Sequence, residues 1–145
     1  MVEDSVADGR RIAELLASEV DGRVDGVLDA LAVVNPDRSA TGSPDGERAY
    51  DVARAVDGAW DDARTQHAPD DSRSELLAEV YIHEDRARIE FRDGQDTAAE
   101  TAEELELRVR PKAVRPPQTL VFVESGAEVK RAVDVVEAVT EAVSA

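Results

Sequence analysis

The sequence predicts an α+β fold: a mostly antiparallel sheet of four to six strands with about three helices on one face, in a single domain over residues 1–145. Three observations carry this. Two alternating apolar–polar runs flank a short acidic corner at Glu84-Asp85, the pattern of a β-hairpin. Three other segments repeat their apolar residues at helical spacing. The strand-like runs cluster between the helical ones instead of alternating with them, which favours an antiparallel sheet covered by helices.

The first helix is expected over residues 8–20. Ile12, Leu15, Leu16 and Val20 fall on one stripe, Asp8 stands as N-cap and Asp21-Gly22 as the stop. A strand follows from Leu28 to Asn35, ended by Pro36, which has no N–H for a ladder. Residues 38–47 carry turn chemistry, and Tyr50, Val52, Arg54 and Val56 then alternate with Asp51 on the other side. Residues 57–75, which hold Trp60 and His67, read as a mobile loop or insertion.

The hairpin pairs a run through Ala78, Val80 and Ile82 with a run through Ala87, Ile89 and Phe91. Val80, Ile82, Ile89 and Phe91 should face the core, and the Arg and Glu residues between them should be wet, with cross-strand pairing at ~0.2–1 kcal/mol each. Thr97-Ala98-Ala99-Glu100 reads as a capping box opening a second helix, with Ala98, Ala102 and Leu105 inward. Leu107 and Val109 mark a short strand, and Thr119 to Glu124 a strand apolar on both faces. Ser125-Gly126-Ala127-Glu128 is a second capping box. Beyond it Val129, Val133, Val136, Val139 and Val143 keep a 3.6-residue period, which outweighs the modest helix propensity of valine.

Charge narrows the function classes. Acidic residues number 33 against 17 basic ones, a formal net charge of −16, and every basic residue except Lys112 and Lys130 is arginine. Self-repulsion at that density disfavours a compact state in dilute buffer. Molar salt, with a Debye length of ~3 Å, removes most of it. The absence of cysteine excludes disulfides, thiolate metal sites and cysteine nucleophiles. No signal peptide or membrane-spanning stretch is recognisable, so a cytoplasmic protein is expected.

No cofactor motif, metal-ligand pattern or catalytic constellation stands out, so an enzyme is not expected. His83 beside Glu84 and Asp85 reads as a solvated turn, because adjacent strand residues point to opposite faces. One segment departs from the acidic background. Between residues 108 and 131, Arg108, Arg110, Lys112, Arg115, Lys130 and Arg131 stand against only Glu124 and Glu128. Lys130 and Arg131 lie in the first turn of the third helix, where the macrodipole disfavours positive charge.

The segment reads as the contact surface of a non-enzymatic interaction module or complex subunit, facing an unknown protein partner or a second copy of the chain. A nucleic-acid-associated protein is a less favoured alternative, since salt weakens phosphate contacts and aromatics make up 3% of the chain. A phosphate or small-molecule site at the Ser125–Gly126 helix start is another. Simple pairing of these cations with the chain's own carboxylates, at ~0–1 kcal/mol each, is the competing account.

The scarcity of lysine and of large apolar residues resembles the proteins of salt-in halophilic archaea. The whole chain is similar to small acidic haloarchaeal proteins to which no activity is attached. That character concentrates in Arg110-Pro111-Lys112-Ala113-Val114 and in Thr119 through Gly126. The resemblance implies a salt-adapted protein and carries no site residues with it.

Overall fold

A computed structural model describes residues 8–22, 31–37, 39–55, 74–112 and 118–144. The elements follow the expected order: α1 (Gly9–Gly22), β1 (Leu31–Val34), β2 (Glu47–Ala55), β3 (Ser74–Ile82), β4 (Ala87–Phe91), α2 (Gln95–Glu104), β5 (Arg108–Lys112), β6 (Gln118–Val123) and α3 (Val129–Ser144). A single 3-10 turn, Gly126–Glu128, leads into α3. The start of the first expected strand, Val56, and residues 57–73 of the expected loop lie outside the described residues; residues 74 and 75 belong to β3.

The six strands form one antiparallel sheet in the order β1-β2-β3-β4-β6-β5. Its inner face and the three helices share one core. Ile12, Leu16 and Val20 of α1 meet Val52, Val80, Ile89 and Val121 of the strands, with Val133, Val136 and Val139 of α3 beside them. Valine at helical spacing thus becomes a buried stripe, and its area removed from water outweighs the propensity cost.

Two bulges adjust the alternation. Register shifts between Arg48 and Tyr50 and between Val52 and Ala53 leave Ala49 and Leu77 as extra residues. Leu77 therefore joins Ala78 in the core, although strict alternation places it with Glu79 and Tyr81. On the opposite face Ala32, Val34 and Ala53 make a small separate apolar cluster.

The helix ends refine the expected caps. Asp8 Oδ1 accepts from the amides of Arg10 (2.9 Å) and Arg11 (3.3 Å), the N-cap geometry read from the sequence. The Thr97–Glu100 box does not form: α2 begins two residues earlier, capped by the backbone of Gly94 at φ 62°. Asp93-Gly94 supplies a left-handed turn that no β-carbon tolerates well, so Thr97 falls inside the helix. Ser125 precedes the 3-10 turn without a side-chain cap bond. The Glu128 carboxylate instead accepts from the amide of Glu124 at 2.9 Å, one residue upstream of the expected partner.

Two close contacts fasten α1 to the sheet. The buried Tyr50 hydroxyl donates to the Ala13 carbonyl at 2.8 Å, and burial raises the pKa of that phenol. Gly9 lies against the β3–β4 corner, where a Cβ would stand 1.9 Å from the His83 carbonyl oxygen. Tyr50→Phe should cost ~0.5–1.5 kcal/mol, the loss of one buried hydrogen bond to a carbonyl that keeps its helical donor. Gly9→Ala should cost ~3 kcal/mol or more, since the obstructing atom is backbone. Urea unfolding curves followed by circular dichroism measure both, and an equal or reversed order would show that α1 docks differently.

Candidate functional site

The outer face of the sheet, turned away from the helices, gathers most of the described cations of the hairpin and of β5. Register sets them in rows. Arg108 pairs with Phe122, Phe122 with Arg88, Arg88 with Tyr81, and Tyr81 with Arg48. Guanidinium groups and aromatic rings therefore alternate across five strands. The Arg88 guanidinium carbon lies 4.3 Å from the Tyr81 ring centroid, and those of Arg86 and Arg108 both lie 5.5 Å from that of Phe122. Such contacts are worth ~0.5–1 kcal/mol at exposed sites and more when desolvated.

Carboxylates in the neighbouring row partner these cations unevenly. Glu90 is only 1% exposed and receives two bonds from Arg88, from Nε at 2.9 Å and Nη2 at 2.7 Å. This corrects the expectation of a wet Arg–Glu row: Leu120, opposite Glu90 on β6, and Glu79, opposite it on β3, flank the carboxylate. Both bonds end on Oε2, and the desolvated carboxylate persists there because these charge-assisted contacts offset its burial. Glu79 pairs with Arg92, which raises the arginine's pKa.

At the β5–β6 end one carboxylate lies between two cations, and the exposed Asp85 Oδ1 is 3.7 Å from Arg86 Nε. Glu124 Oε2 lies 3.5 Å from Arg86 and 3.6 Å from Arg108. Arg110, exposed on the same face, has no ion pair among the described residues. Three arginines thus meet two carboxylates at this corner of a chain whose net charge is −16.

The other residues singled out in the 108–131 segment sit elsewhere. Lys112 lies opposite Gln118 at the end of β5, and Arg115 is outside the described residues. Lys130 is exposed on α3. Arg131 donates to the Leu105 carbonyl at 3.0 Å, capping the C-terminal end of α2, where the dipole welcomes a cation. That contact offsets the unfavourable position of Arg131 at the start of α3. At Ser125 and Gly126 the Glu128 carboxylate already takes the Glu124 amide, so an incoming anion would meet like charge there.

Sequence reasoning passed over two participants. His83, expected in a solvated turn, is 7% exposed; Nδ1 lies 3.1 Å from the Pro44 carbonyl and Nε2 2.9 Å from Arg88 Nη1. Burial, chiefly, lowers its pKa. Arg86 joins Arg108 only through the β4–β6 pairing, which no local pattern announces. Among the described residues no three acidic or histidine side chains converge as a metal site, and no helix is long and apolar enough to cross a membrane.

The chain belongs to a family of unknown function, DUF7993, whose family model matches residues 1–145. No curated protein and no solved structure matches it.

Removing one partner of the buried pair should be costly. Glu90→Ala is expected to lose ~3–5 kcal/mol, because it strands the Arg88 guanidinium on a largely covered surface. Glu14→Ala, which breaks the exposed pairs with Arg10 and Arg11, should cost under ~0.5 kcal/mol. Denaturant midpoints compare the two directly. Similar values would mean that Glu90 is solvated.

Proposed function

We propose that this protein is a non-enzymatic interaction module that receives a carboxylate-rich segment of a partner protein on the open sheet face, at the β5–β6 corner. The observation that carries the reading is the shared carboxylate: Arg86 and Arg108 stand over one ring and both reach Glu124, Arg86 having besides it only the exposed Asp85 at 3.7 Å, while Arg110, one row away, has no ion pair among the described residues. A further carboxylate would complete the set with planar, bidentate geometry. Charge complementarity favours an acidic occupant here. The strongly acidic, lysine-poor composition supports a cytoplasmic protein adapted to concentrated salt, in which such a cluster discriminates partners by geometry more than by long-range attraction.

Two features favour a peptide carboxylate over nucleic acid. The Tyr81 and Phe122 rings are already faced by guanidinium groups, which leaves neither of these two rings free for a base to stack on. The surrounding negative charge also repels a polyanion as long as a duplex far more than a short segment.

Fluorescence anisotropy with a labelled poly-aspartate peptide tests the proposal at low and at molar salt. Arg108→Ala combined with Arg110→Ala should weaken binding by about tenfold or more, the loss of two charge-assisted contacts. Lys130→Ala on the helix layer should leave it unchanged. Equal effects of the two variants, or tighter binding of a DNA oligonucleotide than of poly-aspartate, would overturn the reading. Sedimentation at rising concentration identifies a second copy as the occupant if the double variant abolishes self-association.

A further inference from the structure

We infer that His83 is an acid-sensitive latch on the open sheet face, whose protonation frees one edge of Arg88 from the 39–46 loop and strengthens the docking of a carboxylate-rich partner. The second half of this inference rests on the docking reading above.

The hydrogen bonds fix the tautomer. A guanidinium donates and never accepts, so the 2.9 Å contact from Arg88 Nη1 requires a lone pair on His83 Nε2. The ring proton therefore sits on Nδ1 and is donated to the Pro44 carbonyl at 3.1 Å. The same Arg88 Nη1 also donates to the Asp45 carbonyl at 3.2 Å. One nitrogen thus links strand β4 to both the imidazole and the loop. Gly46 makes room for it: its φ is +86°, and a Cβ there would lie 2.8 Å from Arg88 Nη1 and 3.1 Å from His83 Nε2. Any side chain at that position would push the guanidinium out of the loop.

A proton on Nε2 removes the acceptor and sets an N–H against an N–H, cation against cation. The Nδ1–H bond to Pro44 survives, because imidazolium keeps that donor. Arg88 also stays anchored, since Nε and Nη2 hold Glu90. Because the guanidinium is rigid and planar and stays on Glu90, the imidazole and the loop joined to it through Pro44 must draw back from Nη1, and the Asp45 carbonyl loses its donor. The result is a loosened loop and two adjacent positive charges on the face that carries Arg86 and Arg108.

The groups around the ring oppose the change in balance. Arg86 and Arg88 from β4 and its turn disfavour the proton, as does burial; Asp85 and the Pro44 carbonyl favour it. The loop side presents the Pro44 and Asp45 carbonyls and carries the Asp45 and Glu47 carboxylates, and β6 presents the Phe122 ring, 6.4 Å away between centroids. With its folded pKa held below the ordinary 6.5, neutral His83 contributes its full stabilisation above that value. The contribution is lost as pH falls through the lowered one.

Hydrogen exchange of the 39–46 segment, corrected for intrinsic rates, tests the latch at about pH 7.5 and about pH 5 in the wild-type chain and in His83→Gln. Protection should fall about tenfold at the lower pH in wild type, the loss of a hydrogen bond to a charged group. The variant, which cannot take up the proton, should show no such fall. Poly-aspartate binding should tighten severalfold over the same interval in wild type only. Unchanged protection in wild type, or an equal fall in the variant, overturns the latch. A pH-dependent loop with no poly-aspartate bound at either pH upholds the latch and sinks the docking reading, and with it the second half of the inference. If the variant does not fold, the Gly46 amide shift in wild type decides: a midpoint matching that of the His83 ring supports the latch, and a different one refutes it.

Discussion

A sheet covered by helices on one side must satisfy the polar groups of its other side without help from a second layer. In this protein the task falls on Arg88 and Glu90. The carboxylate is almost wholly buried on the face away from the three described helices, and its charge survives there because two nitrogens of one guanidinium hold it. The remaining nitrogen of that guanidinium reaches the loop and His83, and its plane covers Tyr81. One side chain therefore ties together the hairpin, the loop before β2 and the aromatic row of the outer face. Shifting it disturbs all three at once, which is why the histidine beside it matters.

The elements were legible because each is encoded locally. Valines at a 3.6-residue period specify α3, and the period-2 run around Glu84-Asp85 specifies the hairpin. Where the reading failed, the deciding contact came from elsewhere in the chain. Glu90 alternates like Arg86, Arg88 and Arg92, so periodicity places it on the right face; its burial depends on Leu120 and Glu79, brought alongside by strand pairing. Leu77 enters the core through a bulge that shifts the register against β2. The start of α2 was visible in Asp93-Gly94, but the Thr97-to-Glu100 spacing gave a stronger and misleading signal. A backbone cap at a left-handed glycine competes with a hydroxyl cap, and here it prevails.

The cationic segment shows the same division. Its residues are contiguous in sequence, yet the sheet turns Arg108 and Arg110 to the outer face while α3 carries Lys130 and Arg131 on the helix layer. Arg131 closes the end of α2, and Glu128 occupies the helix start that an anion would need. What remains is smaller than the segment and includes a residue from outside it, since Arg86 reaches Phe122 and Glu124 from the turn before β4. Composition locates an excess of charge along a chain. Only register decides which of those charges meet.

The edges of the sheet complete the case for the face as the contact surface. A partner strand joining β5 would find Pro111 in its path, with no N–H to offer. At the other edge β1 is followed by Asn35 at φ 52°, which ends the extended run. Main-chain pairing with another chain is thus poorly supported at both edges. Side chains must then supply any recognition, and on the outer face Arg86 and Arg108 over Phe122 and Arg110 on β5 are the cations placed to do so. The acidic background reinforces the choice, because a chain of net charge −16 repels an anionic segment in general, while three arginines at this corner oppose that repulsion.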